Sequence, residues 1–439
     1  MNNKNLTFQF KLLVFLLIFW GSIPLAQGQR FSLAACVEYA RENNQSLLLK
    51  HLEEELSHLG ERESKAFMVP ELYASGNMEH YWRIPVLAVP GEIVGQPGEV
   101  LPVRFGTPWM GEAGFQASWN ILDPGAMNRV KLAKLTSSAK AHEREVVESS
   151  LVKHVHIAYR ALILQEESLE NLANAEAYYS EIHRSLGQLL EKGRIDQITL
   201  NQSEVILGKY REKLANRKWD KEMAENDLKF WMGFPLDQPL YIESSEIETL
   251  PEMAAEGDFP GFAHQQAMTL LRKEEYQGTR NSWLPVLRLR AAYNQMYFGE
   301  SLRIGAGENW LPVGFMGLQV QFPLFSMGKH FHEPTRKKME WKRQELAKEE
   351  FLAKENHGLQ EVKARVEQAR TSLATAEREL ALAEENVRLS RLQLEKERLD
   401  VASFRQVQID MMEALEHYLQ RKLDYHIQTV EMAYLSGQF

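Results

Sequence analysis

The chain has 439 residues, of which 60 are acidic and 51 basic, and its formal net charge is −9. An acidic balance without a basic tract argues against binding to nucleic acid. Cys36 is the only cysteine, so no disulfide can form within the chain and no metal site built from several cysteines can exist.

Residues 1–28 have the parts of a secretory signal peptide. Lysines precede an apolar run from Leu12 to Trp20, and Ala26-Gln27-Gly28 has the small-x-small form of a signal-peptidase site. A membrane anchor is the alternative, but the run is shorter than the ~20 residues that a spanning helix needs, and Pro24 interrupts it. We therefore predict export, with cleavage before Gln29. After cleavage, no run of about 18 apolar residues remains.

The segment Leu33-Ala34-Ala35-Cys36 resembles the lipobox of a lipoprotein. In a lipobox the cysteine directly follows the apolar run, whereas polar residues from Gln27 to Ser32 intervene here. Cys36 also lies on an amphipathic pattern that predicts a helical region over 31–67, ended by Pro70. We therefore expect Cys36 to lie on a helix and to carry no lipid.

Strict alternation of apolar and polar residues predicts strands in four segments: 72–82, 112–121, 287–294 and 316–322. Loops rich in glycine and proline are expected within each pair, from about Arg83 to Met110 and from about Phe298 to Leu311. A small soluble sheet with one wet face is the ordinary meaning of such alternation. Aromatic residues near the strand ends and strands of about 10 residues instead favour a membrane barrel, but a barrel needs at least about eight strands. Several copies of the chain would have to share it.

A glycine-containing junction follows each strand pair, and a long helix is predicted after each junction. The first helix runs from Ala126 to about Leu190, which at ~1.5 Å per residue makes a rod on the order of 100 Å. The second has large apolar residues every seven positions from Leu359 to Leu394, with small residues between them. This pattern is typical of a coiled coil.

An internal duplication organises the chain. The stretch GRIDQITLNQ at 193–202 matches ERLDVASFRQ at 397–406, and the heptad helices after both copies end at glycines that are also 204 positions apart. Each half is therefore predicted to contain a helix, two strands and a long helical hairpin with this stretch at its tip. We place the halves at 29–235 and 258–439, joined by a solvated acidic linker over 236–257.

Several motifs, most of them present in both halves, resemble those of the TolC-like outer-membrane efflux protein family. They are Phe31-Ser32-Leu33 with Arg41-Glu42-Asn43-Asn44, Met68-Val69-Pro70-Glu71-Leu72, Trp119-Asn120-Ile121-Leu122-Asp123-Pro124-Gly125, Trp231-Met232-Gly233-Phe234-Pro235, Trp283-Leu284-Pro285-Val286-Leu287 and Phe322-Pro323-Leu324-Phe325-Ser326-Met327-Gly328. The resemblance covers essentially the whole mature sequence.

The resemblance implies a mainly α protein with a small β portion. Three chains would close a 12-stranded transmembrane β-barrel, four strands from each, and the duplicated coiled-coil hairpins would form a periplasmic α-barrel. The implied function is a passive duct in the cell outer membrane that extends into the periplasm, as part of a tripartite efflux or type I secretion system. Its partners would be a periplasmic adaptor protein and an inner-membrane pump, with no enzymatic activity, metal or cofactor.

The resemblance also implies site residues. The residues expected to dock the adaptor at the hairpin tips are Gly193, Arg194, Ile195, Asp196, Arg398, Leu399 and Asp400. The residues expected at the periplasmic aperture are Thr199, Gln202, Ser403 and Gln406. Some family members carry paired carboxylates at the second-half aperture positions, so their absence here argues against a ring that binds cations. Pairing between tip arginines and aspartates is an alternative means of closure.

Two other classes of function account for less of the sequence. An exported structural coiled-coil protein without transport activity would explain the heptads but not the alternating strands. A periplasmic enzyme would need a set of convergent polar residues, and the sequence has no P-loop, GxSxG or HExxH motif. His154 and His156 are expected to be surface residues, because positions two apart on a helix point to different sides.

Overall fold

The computed structural model describes residues 30–90, 95, 98, 100–104, 106–243, 259–281, 283–302, 305, 309–323, 329–395 and 401–439. The predicted signal peptide, the second hairpin tip and residues 244–257 of the predicted linker lie outside these ranges. Within the described ranges, no helix combines the length and the apolar character needed to cross a membrane.

Eight α-helical or strand elements make up the first half of the described chain: α1 (Leu33–Asn43), α2 (Gln45–Ser64), β1 (Glu71–His80), β2 (Val86–Pro90), β3 (Val100–Arg104), β4 (Trp109–Leu122), α3 (Pro124–Glu191) and α4 (Gln197–Met232). The second half has α5 (Phe262–Asn281), β5 (Val286–Gly299), β6 (Trp310–Gln321), α6 (Lys329–Glu395) and α7 (Val401–Leu435). The second half has the predicted helix, two strands and helical hairpin, whereas the first half has two additional strands and two helices before β1. The helices α4 and α7 begin 204 positions apart, which is the offset of the sequence repeat.

The chain divides into two compact units, and each unit contains segments from both halves. The helical unit comprises Met1–Leu48, Val147–Phe259 and His357–Phe439. The sheet unit comprises Leu49–Val146 and Pro260–Asn356. The long helices α3 and α6 each contribute their first part to the sheet unit and the rest to the helical unit.

The sheet unit contains a four-stranded antiparallel sheet in the order β1-β4-β5-β6. Its central pair, β4 with β5, joins strands from different halves of the duplication. The predicted loop over 83–110 was partly wrong, because β2 and β3 pair within it as a separate antiparallel hairpin. The prolines Pro90 and Pro102 disguised these strands, although proline is tolerated in a two-stranded ribbon where every strand is an edge.

The predicted helical region over 31–67 is interrupted at Asn44. The side-chain Oδ1 of Asn44 accepts hydrogen bonds from the backbone N–H groups of Ser46 (3.0 Å) and Leu47 (3.2 Å), so this residue ends α1 and caps α2. Its Nδ2 donates to the backbone oxygen of Trp231 (2.9 Å) near the end of α4. Two motifs separated by some 190 residues in sequence therefore meet in the helical unit.

Gly233 ends α4 at this meeting point. Its φ of 70° lies in the left-handed region, and an added Cβ would lie 2.5 Å from the backbone oxygen of Asn43. Glycine is therefore required here by both conformation and space. Gly437, its counterpart in the repeat, follows α7 with the same φ of 70°.

The main core of the helical unit is formed by α1, α3 and α4. Cys36, Val155, Leu228 and Met232 have no exposed surface. Burial raises the pKa of the Cys36 thiol to about 12. The prediction that Cys36 lies on a helix is thus confirmed. The beginning of the predicted solvated linker also joins this core, because Leu240 and Ile242 are buried against it.

Candidate channel wall and hairpin tips

The strand register separates the side chains of the four-stranded sheet onto two faces. Cross-strand partners share a face, and the row Leu72, Ala117, Ala291, Met316 lies opposite the row Tyr73, Gln116, Ala292, Phe315. The apolar face includes Leu72, Ala74, Met78, Ala113, Phe115, Ala117, Trp119, Leu287, Leu289, Ala291, Tyr293, Met316, Leu318 and Val320. The polar face includes Glu71, Tyr73, Ser75, Asn77, Glu79, Glu112, Gln116, Ser118, Asn120, Arg288, Arg290, Asn294, Gln319 and Gln321, with a few apolar residues among them. The predicted alternation is confirmed in all four strands.

Hydrogen bonds connect polar-face side chains across the strands. The Tyr73 hydroxyl donates to Gln116 Oε1 (2.9 Å), and Gln116 Nε2 donates to Ser75 Oγ (3.2 Å). Between β4 and β5, Arg288 Nε donates to Asn120 Oδ1 (2.7 Å). The hydrogen-bonded polar side chains make this face suitable for contact with water.

Among the described strands, none pairs with the outer side of either edge of the four-stranded sheet, β1 or β6. Large apolar side chains on these strands are exposed: Leu72 by 73%, Met316 by 77% and Val320 by 65%. An exposed apolar edge strand of this kind favours pairing with a strand of another chain. The single chain therefore leaves uncovered both its apolar face and the backbone groups of its two edges.

The first hairpin tip is a short turn between α3 and α4. Gly193 adopts a φ of 68°, and its N–H and that of Arg194 donate to the backbone oxygens of Leu190 and Leu189. Asp196 caps α4, since its Oδ1 accepts from the Thr199 backbone N–H at 2.8 Å. Hydrogen bonds from the Thr199 side chain and backbone lower the pKa of Asp196.

The predicted tip residues of the first half are brought together, with Arg194 exposed and Ile195 partly exposed beside the cap. Arg398, Leu399 and Asp400 lie outside the described residues, so docking at both tips and pairing between them remain predictions.

The four predicted aperture residues occupy matching positions in the first turns of two helices. Thr199 and Gln202 lie on α4, and Ser403 and Gln406 lie on α7. Gln202 lines a cavity of about 20 Å³ together with Phe404 of α7. Gln406 instead donates from Nε2 to Asp410 Oδ1 (2.8 Å) on its own helix. The structure thus places Gln202 beside the second hairpin, and the role of all four in an aperture remains a prediction.

Sequence reasoning missed a buried cationic cluster in the helical unit. Arg160 on α3 is only 2% exposed, and its Nη1 lies 3.2 Å from Nδ1 of His426 on α7. Burial and the charge of Arg160 lower the pKa values of His156 and His426 to about 4. The expectation that His156 is a surface residue was wrong, because its ring packs against Phe439 (4.6 Å between ring centroids). The heptad spacing predicts the helices but gives no signal for a buried arginine.

Among the residues that the structure describes, no three or more histidine, cysteine, aspartate or glutamate side chains are arranged to hold a metal ion. The described sheet instead has one polar face, one apolar face and two strand edges without a described partner strand.

No protein-family model matches the sequence, and neither does any curated protein. Solved structures do match. CusC, described as undergoing folding and transmembrane channel formation, aligns with a TM-score of 0.76 at 13% identity over 94% of this chain and 95% of its own. The outer-membrane channel MtrE of Neisseria gonorrhoeae, in its open state, aligns with a TM-score of 0.74 at 16% identity over 92% and 88%.

The CmeC outer-membrane channel of Campylobacter jejuni gives a TM-score of 0.73 at 15% identity over 92% of this chain and 85% of its own. At identities this low, the structural alignments establish a shared fold and nothing finer. The chain has the TolC-like fold of these outer-membrane channels, as the sequence motifs predicted.

Proposed function

We propose that the protein is the outer-membrane channel component of a tripartite efflux or type I secretion system. In this role it is a passive trimeric duct that crosses the outer membrane and extends into the periplasm. The observation that carries the proposal is the division of the four-stranded sheet into an apolar and a polar face, with both edges open.

The strand count is compatible with a trimer. Four strands cannot close a barrel, whereas three chains supply twelve, within the range of outer-membrane barrels. Pairing β6 of one chain with β1 of the next would satisfy the backbone groups of both edges. The apolar faces would then contact lipid and the polar faces would line a water-filled lumen.

The hairpins support the periplasmic part of the proposal. The helices α3 and α6 have 68 and 67 residues, and each is followed by a returning helix of 36 or 35 residues. In a trimer these hairpins would form the periplasmic α-barrel, with the tips at Gly193–Asp196 and Arg398–Asp400 docked to an adaptor protein that connects to an inner-membrane pump. Such a duct needs no catalytic residue and no cofactor, since the pump supplies the energy.

Fractionation followed by electron microscopy tests the channel itself. We expect the mature protein in the outer-membrane fraction as a heat-modifiable trimer, and a three-fold tube on the order of 100 Å or longer after solubilisation in detergent. A soluble monomer would contradict the proposal. An exported coiled-coil protein without transport activity, the alternative class, predicts that soluble form but does not account for the two-faced sheet.

A double charge reversal tests the docking tips. Replacing Arg194 and Arg398 together with glutamate should weaken the complex with the adaptor and reduce export, because both positions lie outside the heptad core. Trimer assembly should be unchanged, and the heat-modifiable band provides the control. Normal export by Arg194→Glu/Arg398→Glu would remove the tips from the docking site.

A further inference from the structure

The charged side chains on the polar face of the sheet are separated by sign along the strands. At the helix end of the sheet, where β4 leads into α3, the polar face carries Arg288 and Arg290. At the opposite end, here called the loop end, it carries Glu79 and Glu112.

The two arginines give the helix end of the polar face a net positive charge and define its cationic zone. Arg288 Nε donates to Asn120 Oδ1, a neutral acceptor, which orients the planar guanidinium. Within the described part of the chain, neither guanidinium forms an ion pair with a carboxylate. Glu71 lies in the same row as Arg290, but β4 lies between β1 and β5. The backbones of the two residues are therefore two interstrand spacings apart, about 10 Å. Asp123, just past β4, accepts from Asn120 Nδ2 at 3.3 Å and also lies 3.8 Å from Arg129 Nη2. With this ion pair included, the helix end of the polar face has three cations and two carboxylates in each chain.

The loop end has the opposite sign. Glu112 accepts a hydrogen bond from Asn294 Nδ2, and Glu79 accepts one from the Tyr81 hydroxyl. No lysine or arginine accompanies these carboxylates on the polar face of the described strands at this end. Within the described residues, each chain therefore contributes two carboxylates without a basic partner here.

We propose that Arg288 and Arg290 attract anionic solutes at the helix end of the pore, while Glu79 and Glu112 repel them at the loop end. The solutes favoured from the helix end are those with carboxylate or phosphate groups, which match the fork of guanidinium donors. This inference rests on the proposed function, because only a closed trimer makes the polar face a lumen. Three copies would then place six guanidinium groups around one end and six carboxylates around the other.

The dimensions allow both zones to act on a passing solute. Twelve strands about 4.8 Å apart and tilted by ~40° give a barrel diameter of roughly 24 Å. The corresponding radius is close to the Debye length of ~10 Å at 0.1 M salt, so the field of either zone reaches the axis. The row of Arg290 lies six residues from the row of Glu112, or about 20 Å, so the zones are electrostatically distinct.

Conductance of the purified trimer in planar lipid bilayers tests the proposal. The measurement uses symmetric potassium chloride at about 0.1 M, where the Debye length is about 10 Å. The current should rectify, because opposite charges lie at the two ends. Arg288→Gln/Arg290→Gln should reduce the rectification, since only the carboxylates at the loop end remain charged, and should lower the permeability of chloride relative to potassium several-fold in a salt gradient. Glu79→Gln/Glu112→Gln should shift that ratio in the opposite direction.

Arg288→Lys/Arg290→Lys is the matched control, since it keeps the charge and should keep both the ratio and the rectification. Raising the salt tenfold should remove the differences, because the Debye length falls to about 3 Å. The proposal is overturned if the glutamine pair conducts with the wild-type ratio and rectification. A wild-type trimer that does not conduct would instead contradict the channel function itself.

A labelling experiment keeps the inference testable if the glutamine pair fails to assemble. Cys36 has no exposed surface, so Arg290→Cys provides a single reactive thiol. In intact trimers, a negatively charged thiol reagent should label this position several-fold faster than a positively charged reagent of the same size, because Arg288 remains beside it. Equal rates, or a faster cationic reagent, would reject the cationic zone.

Discussion

The core of the helical unit buries its apolar side chains, whereas the four-stranded sheet leaves many of its apolar side chains exposed. In the helical unit, Val155, Leu228 and Met232 have no exposed surface, because α1, α3 and α4 cover them. In the sheet, Leu72 and Met316 are more than 70% exposed. The first region is completed by contacts within one chain, whereas in the proposed channel the second would be completed by lipid and by further copies. Under that proposal, the two regions would acquire their final stability in different environments.

The largest expected effect comes from placing a charge on the apolar face. Leu318→Lys should prevent membrane assembly, since a lysine facing the bilayer interior costs about 2–4 kcal/mol in a barrel and a trimer carries three copies. Gln319→Lys is the matched control, because Gln319 is adjacent to Leu318 in β6 but lies on the polar face. The measurement is the amount of heat-modifiable trimer in the outer-membrane fraction. Equal loss of trimer in both variants would show that the two faces do not differ in environment.

A truncation in the helical core should have the next largest effect. Leu228→Ala removes a side chain with no exposed surface and should lower the free energy of unfolding by about 2–5 kcal/mol. Leu72→Ala, on an exposed edge of the sheet, should change the unfolding of the helices far less. Urea titration of the solubilised protein, followed by helical circular dichroism, measures both. A larger effect from Leu72 would reverse the comparison between the two regions.

Acidification should weaken the helical unit selectively through the Arg160 cluster. The pKa values of His156 and His426 fall from an ordinary 6.5 to about 4 in the folded protein. Between those values the unfolded chain binds more protons, so stability is lost as the pH falls through this window and is unaffected above it. The loss should be on the order of 2 kcal/mol for each histidine, allowing for residual solvent screening.

Urea titrations at pH 7, above the window, and at about pH 4.5, near its lower end, measure most of this loss. His426→Gln keeps a hydrogen-bond acceptor near Arg160 but removes one titrating group, so its stability should depend less on pH than that of the wild type. An unchanged pH dependence in this variant would exclude His426 as a source of the linkage.

The sequence predicted most of the architecture because its strongest signals are periodic. Alternation identified all four strands of the sheet and the faces of their side chains, and heptads identified the long helices. The β2–β3 hairpin escaped because its prolines imitate a loop, and the break at Asn44 escaped because its cap depends on a side chain that also contacts Trp231. Arg160 could not be assigned from spacing, since its burial depends on how α3 meets α7. Long-range contacts of this kind carry no local signature.

The smallest expected effect concerns Asp196, where docking and helix capping compete as explanations. Asp196→Ala removes both the cap and the charge, and hydrogen exchange in the first turn of α4 should become roughly fivefold faster. Asp196→Asn keeps an acceptor for the Thr199 N–H and should preserve the wild-type exchange rate while losing the charge. If adaptor binding is lost in both variants, the charge at the tip is recognised directly. If only the alanine variant loses binding, Asp196 acts by holding the turn in shape, and recognition depends on its neighbours Arg194 and Ile195.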